Sequence, residues 1–325
     1  MNVRAWVSMA RPFTLLPPLL GILSGSACAW ASALNPYPAF TWRLFWQVTI
    51  AACCASLMNA ASNIINQVYD IEIDRINKPH RPLVTGELSL KHASWGAAVM
   101  YLFSIVPIWW VVPPPYDTGF QARTFAPLTA HACFWIYFGM LLCTLIYSVP
   151  AMGRTKRLGI WANATIAVAR GELVQVGGWA LFAPVTVVEP WYLGSVFFFF
   201  LLGAASTKDF SDMEGDRRGG CRTLPIAYGP TKAAWMISPA FILPWLMFPL
   251  GAWLPAPGGG RALAGTPALL ALLGVALILW GGYALLLILR NPDELASTEN
   301  HPSWTVMYAM MLAAQAGLGL AYLCC

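Results

Sequence analysis

Half of the 14 acidic residues in this chain fall in two short stretches. The first reads NQVYDIEIDRINKPHRPL (66–83) and the second KDFSDMEGDRRGGCRTLPI (208–226). Each contains the pattern D-x-E-x-D-R, from Asp70 to Arg75 and from Asp212 to Arg217, at an offset of 142 residues. Asn66, Asp70 and Asp74 lie four apart, so on a helix they form one stripe that drifts by about 40° per step, with Asn63 a turn earlier. Asp209, Asp212 and Asp216 form a similar stripe, and Gly215, Gly219 and Gly220 predict that the helix there gives way to a loop. Carboxylates on one face repel each other unless a cation joins them. Oxygen ligands interleaved with lysines and arginines suit Mg²⁺ held between protein and a diphosphate, with the basic side chains on the remaining phosphate oxygens. A single stretch of this kind is as well explained by a solvated loop that sets topology. Two matched stretches in so acid-poor a chain favour a site.

The elements that must position these residues are membrane helices. Of 325 residues 58% are hydrophobic and only 10% charged, against roughly 25% charged in soluble domains, and mean hydropathy is +0.61. That excludes a soluble enzyme, a disordered chain and a secreted disulfide scaffold. A helix needs about 20 apolar residues to span the hydrocarbon core. Such runs fall near 13–33, 46–68, 92–113, 128–150, 158–183, 191–206, 231–254, 267–289 and 304–325. They predict an all-α integral membrane bundle of nine transmembrane helices in a single domain, 1–325. The shortest run, 191–206, carries four consecutive phenylalanines. Fifteen basic residues fall at the N-terminus and in the even-numbered loops, against Arg43, Arg123 and Arg261 on the other face. This positive-inside bias places the N-terminus in the cytoplasm, the C-terminus on the opposite side and both acidic stretches at the cytoplasmic face. It also accounts for the net charge of +5 without a nucleic-acid partner. The two acidic patterns, four helices apart, predict a weak parallel repeat of two half-bundles.

The 66–83 stretch resembles the first signature of the UbiA superfamily of intramembrane prenyltransferases, and 208–226 resembles its second. The resemblance covers nearly the whole chain, including Arg11-Pro12-Phe13-Thr14 at the opening of the first helix. It implies a helical bundle around a central cavity, capped by the two acidic loops. It further implies transfer of an isoprenyl group from an allylic polyprenyl diphosphate to a hydrophobic acceptor. By that resemblance Asn66, Asp70 and Asp74, with Asp209, Asp212 and Asp216, hold Mg²⁺ and through it the diphosphate. Lys78, Arg81, Lys156, Lys208 and Arg222, with Arg11, then contact phosphate directly. Tyr147-Ser148, ahead of Arg154, Lys156 and Arg157, resembles the family's Tyr-Ser motif; topology-setting charge is the alternative role of these basic residues. The second signature resembles the branch of chlorophyll synthases, homogentisate prenyltransferases and geranylgeranylglyceryl phosphate prenyltransferases, and the first leans towards the last group. The acceptor is accordingly a phenolic quinone precursor or of the geranylgeranylglyceryl phosphate type.

The chemistry asks for such a site on its own terms. Ionising an allylic C–O bond leaves a diphosphate anion, which cations stabilise, and a carbocation, which needs a dry cavity and gains from aromatic faces. Arg170 and Glu172 lie within a membrane run, where charges usually face a cavity. Two residues apart on a helix, they do not face each other, and Arg170 is read as a cavity residue. Seven of the eight cysteines lie in apolar runs without metal-ligand spacing, and the four histidines are scattered; none is assigned a role. Two other functions fit parts of the pattern. A terpene cyclase of the same fold would need the diphosphate site but no acceptor. A secondary transporter would place its site near the midplane, whereas these acids gather at one mouth.

Overall fold

The computed structural model describes residues 2–114, 116–256, 259–299 and 301–325. The structure is 77% helix, and there are no strands among the described residues. Among the described residues, seven helices are long and apolar enough to cross a bilayer: Pro12–Ala31, Trp42–Tyr69, Leu90–Trp110, Val188–Ser211, Pro230–Trp253, Pro267–Arg290 and Pro302–Leu323. Each falls on an expected run. The other two expected runs differ. Ala132–Ser148 is apolar but only 17 residues long. The 158–183 run is not one helix: Ile160–Ala167 and Leu173–Trp179 are joined by a π-helical turn, Val168–Glu172. Length and composition by themselves therefore support seven of the nine expected spans among the described residues.

Small residues let the helices approach closely, as packing between apolar helices in lipid requires. Gly21 and Gly25 lie four apart on the first span and face Leu173–Trp179. A Cβ on Gly25 would come within 2.3 Å of the Gln175 carbonyl, and one on Gly178 within 2.4 Å of the Ile22 carbonyl. Ser26 Oγ donates to the carbonyls of Ile22 (2.7 Å) and Gly178 (3.2 Å), pinning the crossing. The phenylalanine block 197–200 divides by helical phase. Phe197 and Phe200 are fully buried against Trp245, while Phe199 is exposed.

Polar contacts gather at the two ends of the bundle. At one end, Asn2 reaches Glu87, Arg154 and Lys156 reach Asp70, and Lys208 reaches the Glu299 carbonyl. At the other, Asp117 pairs with Arg43 and Arg123, Glu189 accepts from Tyr322 and from the Ala264 N–H, and Thr266 bonds to Cys324. Both acidic stretches belong to the first end.

Candidate active site

The two acidic stretches fold alike. Trp42–Tyr69 stops at Asp70, and the short helix Ile71–Asn77 follows. Thr207–Ser211 stops at Asp212, and Met213–Arg218 follows. The breaking residues have nearly the same backbone, φ/ψ of −102°/12° at Asp70 and −100°/5° at Asp212. In both, the N–H of the aspartate four residues on (Asp74, Asp216) donates back to the carbonyl of the breaking residue. The two carboxylates of each stretch thus straddle a bend rather than a continuous helical stripe. As expected, the second short helix ends at Arg218 and the chain turns into a loop at Gly219 and at Gly220, whose backbone is left-handed (φ 74°). Gly215 does not mark that end, and it and Gly219 have a packing role. Gly215 lies inside its helix, and a Cβ there would lie 2.6 Å from the Asn77 carboxamide; one on Gly219 would lie 2.5 Å from Ile73. Bare backbone at these positions lets the two short helices pack together.

Asn77 fastens them. Its Nδ2 donates to the Asp212 carbonyl (2.8 Å) and its Oδ1 accepts from the Gly215 N–H (2.8 Å). Asn77→Ala leaves both groups without that partner, so a stability loss of about 1–3 kcal/mol is expected. Thermal unfolding in detergent checks it: the variant should melt lower than wild type, with Tyr69→Phe, on the exposed rim, as the neutral control.

Cations face the four bend aspartates. Asp70, 2% exposed, accepts from Arg154 Nη2 (2.8 Å) and pairs with Lys156. Lys156 Nζ also lies 3.4 Å from Asp216 Oδ1, so one ammonium spans both stretches. Lys78 Nζ lies 2.5 Å from Asp212 Oδ2, another link between the halves, and Arg81 pairs with Asp74. Burial pushes the Asp74 and Asp216 carboxyls above their ordinary values despite these neighbours. Burial acts the same way on Asp212, but Lys78, Lys208 and Lys156 overcome it and hold that carboxyl below the usual range. Burial lowers Lys78. It opposes charge on Lys156 too, yet Asp70 and Asp216 together hold that ammonium well above its ordinary value. Asp212 therefore adds stability that is present above the unfolded carboxyl value of about 3.9 and lost as pH falls through its lower folded value. Asp74 and Asp216 have the opposite sign: each costs stability at neutral pH, and acid relieves that cost.

A cavity of about 430 Å³ opens beneath these pairs. It is lined by Arg11, Asn66, Asp70, Asp74, Lys78, Arg81, Tyr147, Lys156, Arg170, Lys208, Asp209, Asp212 and Asp216, which brings together every expected site residue but one. The exception is Arg222. It is exposed and borders a separate groove beside Arg157, because its backbone N–H bonds to the Arg157 carbonyl outside the cap. Arg11 has left-handed backbone (φ 53°). It is held by the amides of one helical face: Asn63 donates to Ala10 and Thr14, and Gln67 to Met9. Burial and Arg81 pull Arg11 down to about 10, so it stays charged at neutral pH. The π turn carries Arg170 to the cavity, where Nη2 lies 3.4 Å from Asn63 Oδ1; Glu172 lies apart from it, against Gly194.

The cavity wall contains residues that helical spacing did not single out. Phe13, Trp304 and Tyr308 form an aromatic cluster with ring centroids 4.9–5.6 Å apart. Lys208 Nζ stands 5.9 Å from the Trp304 ring centre. Met307 and Met311 continue the wall, and His80 borders the mouth. Arg154 and Asn77 were likewise not expected as partners of the acids. Arg154 follows the Tyr-Ser pair, but no spacing rule joins it to a residue 84 positions earlier.

The UbiA prenyltransferase family profile matches residues 24–304. The chain belongs to the UbiA prenyltransferase family. Digeranylgeranylglyceryl phosphate synthase of Methanoculleus marisnigri is 29% identical over 233 residues, 71% of either chain. Homogentisate phytyltransferase 1 of Arabidopsis thaliana is 28% identical over 72% of this chain and 56% of its own length. A UbiA homologue from Archaeoglobus fulgidus, solved with DMAPP and Mg²⁺, superposes with a TM-score of 0.67 at 17% identity, covering 98% of this chain and 99% of that one. The architecture is therefore that of the UbiA prenyltransferases.

The donor set of this prenyltransferase fits a hard divalent ion. Asp209 lines the cavity without an ion pair among the described residues. Asp216 Oδ1 is buried with no hydrogen bond beyond its 3.4 Å ion pair to Lys156, while the buried, unpartnered Asn66 Nδ2 is a donor suited to a phosphate oxygen rather than to the metal. No three His, Cys, Asp or Glu side chains among the described residues converge to hold one ion by themselves. That agrees with the habit of Mg²⁺, which takes one or two carboxylates and completes its shell with water and substrate phosphate.

Proposed function

We propose that the protein transfers an isoprenyl group from an allylic polyprenyl diphosphate to a hydrophobic acceptor in a Mg²⁺-dependent reaction. The supporting observation is the meeting of two matched aspartate bends and their cations at one mouth of an aromatic-walled cavity. Asn66, Asp70 and Asp74 from one bend and Asp209, Asp212 and Asp216 from the other are the metal-holding residues. Bound Mg²⁺ supplies charge neutralisation for the leaving diphosphate. Lys78, Arg81, Lys156, Lys208 and Arg11 donate to diphosphate oxygens and stabilise the charge that develops as the allylic C–O bond breaks. Phe13, Trp304 and Tyr308 offer ring faces to the carbocation and keep water from it. Arg170 and Tyr147 bind at the inner edge. The acceptor is a phenolic quinone precursor or of the geranylgeranylglyceryl phosphate type, two of the classes that the names of its relatives span beside the bacteriochlorophyll synthases.

The chain is one domain that crosses the bilayer nine times, the short Ala132–Ser148 helix and the π-interrupted 160–179 segment being the two further crossings. An odd number of crossings agrees with Asn2 at the acidic end and Cys324 at the other. With most basic residues at the acidic end, the N-terminus and the mouth of the site face the cytoplasm, and the C-terminus lies opposite.

The test uses purified protein in detergent with Mg²⁺ and radiolabelled geranylgeranyl diphosphate. Diphosphate release is followed with and without pooled phenolic and glycerophosphate acceptors. Release that requires an acceptor and is abolished by EDTA is expected, and the product names the acceptor class. Release without acceptor, yielding a cyclic hydrocarbon, would make the protein a cyclase. No release with this donor or with shorter and longer ones overturns the proposal.

A further inference from the structure

Outside the site lies a larger groove, about 1010 Å³, open on the flank of the bundle. Its walls come from three membrane segments: Trp161 on one, Phe199 and Leu202 on the second, and Met236, Leu243 and Met247 on the third. Its polar end is formed by Arg157 and Arg222, both exposed, and neither side chain makes an ion pair or hydrogen bond to any described residue. Backbone pairing brings them together, since the Arg222 N–H donates to the Arg157 carbonyl (3.3 Å). Gly159 makes the approach possible: its φ is 60°, and a Cβ there would lie 3.0 Å from the Arg222 carbonyl. From Met236 to Met247 the wall extends for about 16 Å at helical rise, close to one leaflet of a hydrocarbon core about 30 Å thick. The groove thus has the dimensions of one leaflet, an apolar floor and two unneutralised cations at its headgroup end.

We infer that this groove is a binding site for one anionic phospholipid of the bilayer. The phosphate lies between Arg157 and Arg222, and an acyl chain runs along Phe199, Met236 and Met247. Basic pockets between membrane helices bind acidic headgroups by this combination of charge and chain burial. The bound lipid bridges two loops that also serve the cavity. Lys156, next to Arg157, spans Asp70 and Asp216, and the N–H of Cys221, next to Arg222, donates to the Asp216 carbonyl (2.8 Å).

Native mass spectrometry of the full chain in detergent, titrated with phosphatidylglycerol or phosphatidylcholine and no prenyl substrate, tests the inference separately from the catalytic proposal. Wild type should retain one phosphatidylglycerol in preference to phosphatidylcholine. Arg157→Gln/Arg222→Gln should weaken that retention by about tenfold. Ala227→Glu, which keeps both arginines and puts a carboxylate in the same mouth, should weaken it similarly. Equal retention of the two lipids by wild type, or undiminished phosphatidylglycerol retention in both variants, overturns the inference. So does a double variant that keeps its lipid but shows a raised KM for prenyl diphosphate, because the arginines would then serve the substrate.

Discussion

Asp70→Asn is expected to lower Mg²⁺-dependent turnover by about a thousandfold, the scale seen when a preorganised charge contact is removed from a reacting centre. The carboxylate is almost fully buried and carries two cations, Arg154 and Lys156. An amide in its place is a weak metal ligand and leaves both cations without their carboxylate partner. Removing one member of a buried pair destabilises by about 3–5 kcal/mol; here Lys156 keeps Asp216 as a second partner, so a loss near the lower figure is expected. The variant must therefore be assayed below its own melting temperature. Asp212→Asn separates the two effects. Its carboxylate is more exposed and among the described residues forms one ion pair, to Lys78, so it should lose turnover to a similar degree with a smaller fall in melting temperature. Full turnover in either folded variant is incompatible with two metal-holding bends.

Gly178→Leu is expected to abolish folding without touching the site. Its Cβ would have to occupy space 2.4 Å from the Ile22 carbonyl and 3.0 Å from Gly25 Cα. These are backbone atoms on a facing helix, so no side chain can rotate away. Overpacking of a well-packed core costs about 1–3 kcal/mol when neighbours relax; here the whole helix pair must separate, and the Ser26 hydrogen bond to Gly178 is lost with it. Size-exclusion chromatography after mild detergent extraction should show aggregated material in place of a monodisperse peak. Gly282→Leu is the control, because a Cβ at Gly282 meets nothing within 4 Å. A monodisperse, active Gly178→Leu protein would contradict the close crossing.

Composition and spacing by themselves determined the membrane class, the position of the seven long spans and the paired acidic stretches. Each is a local property: a spanning helix must be apolar along its own length, and the D-x-E-x-D-R pattern stands out against a chain with few charges. The same local rules failed where a neighbour intervenes. The 158–183 run has the hydropathy of a span, yet contact between Gly171 and the Phe197 backbone accompanies a π turn that places Arg170 at the cavity. The stripe of Asn66, Asp70 and Asp74 becomes a bend at Asp70, and Gly215 acts as a packing surface rather than a helix end, because a second short helix lies against it through Asn77. Only the tertiary structure decided which basic residue meets which acid. Lys156 reaches Asp70 across 86 positions and Lys78 reaches Asp212 across 134, while Arg222, adjacent in sequence to the second acidic pattern, faces away. Periodicity reports the face of a helix on which a residue lies; the partner brought to that face is set by contacts distant in the chain.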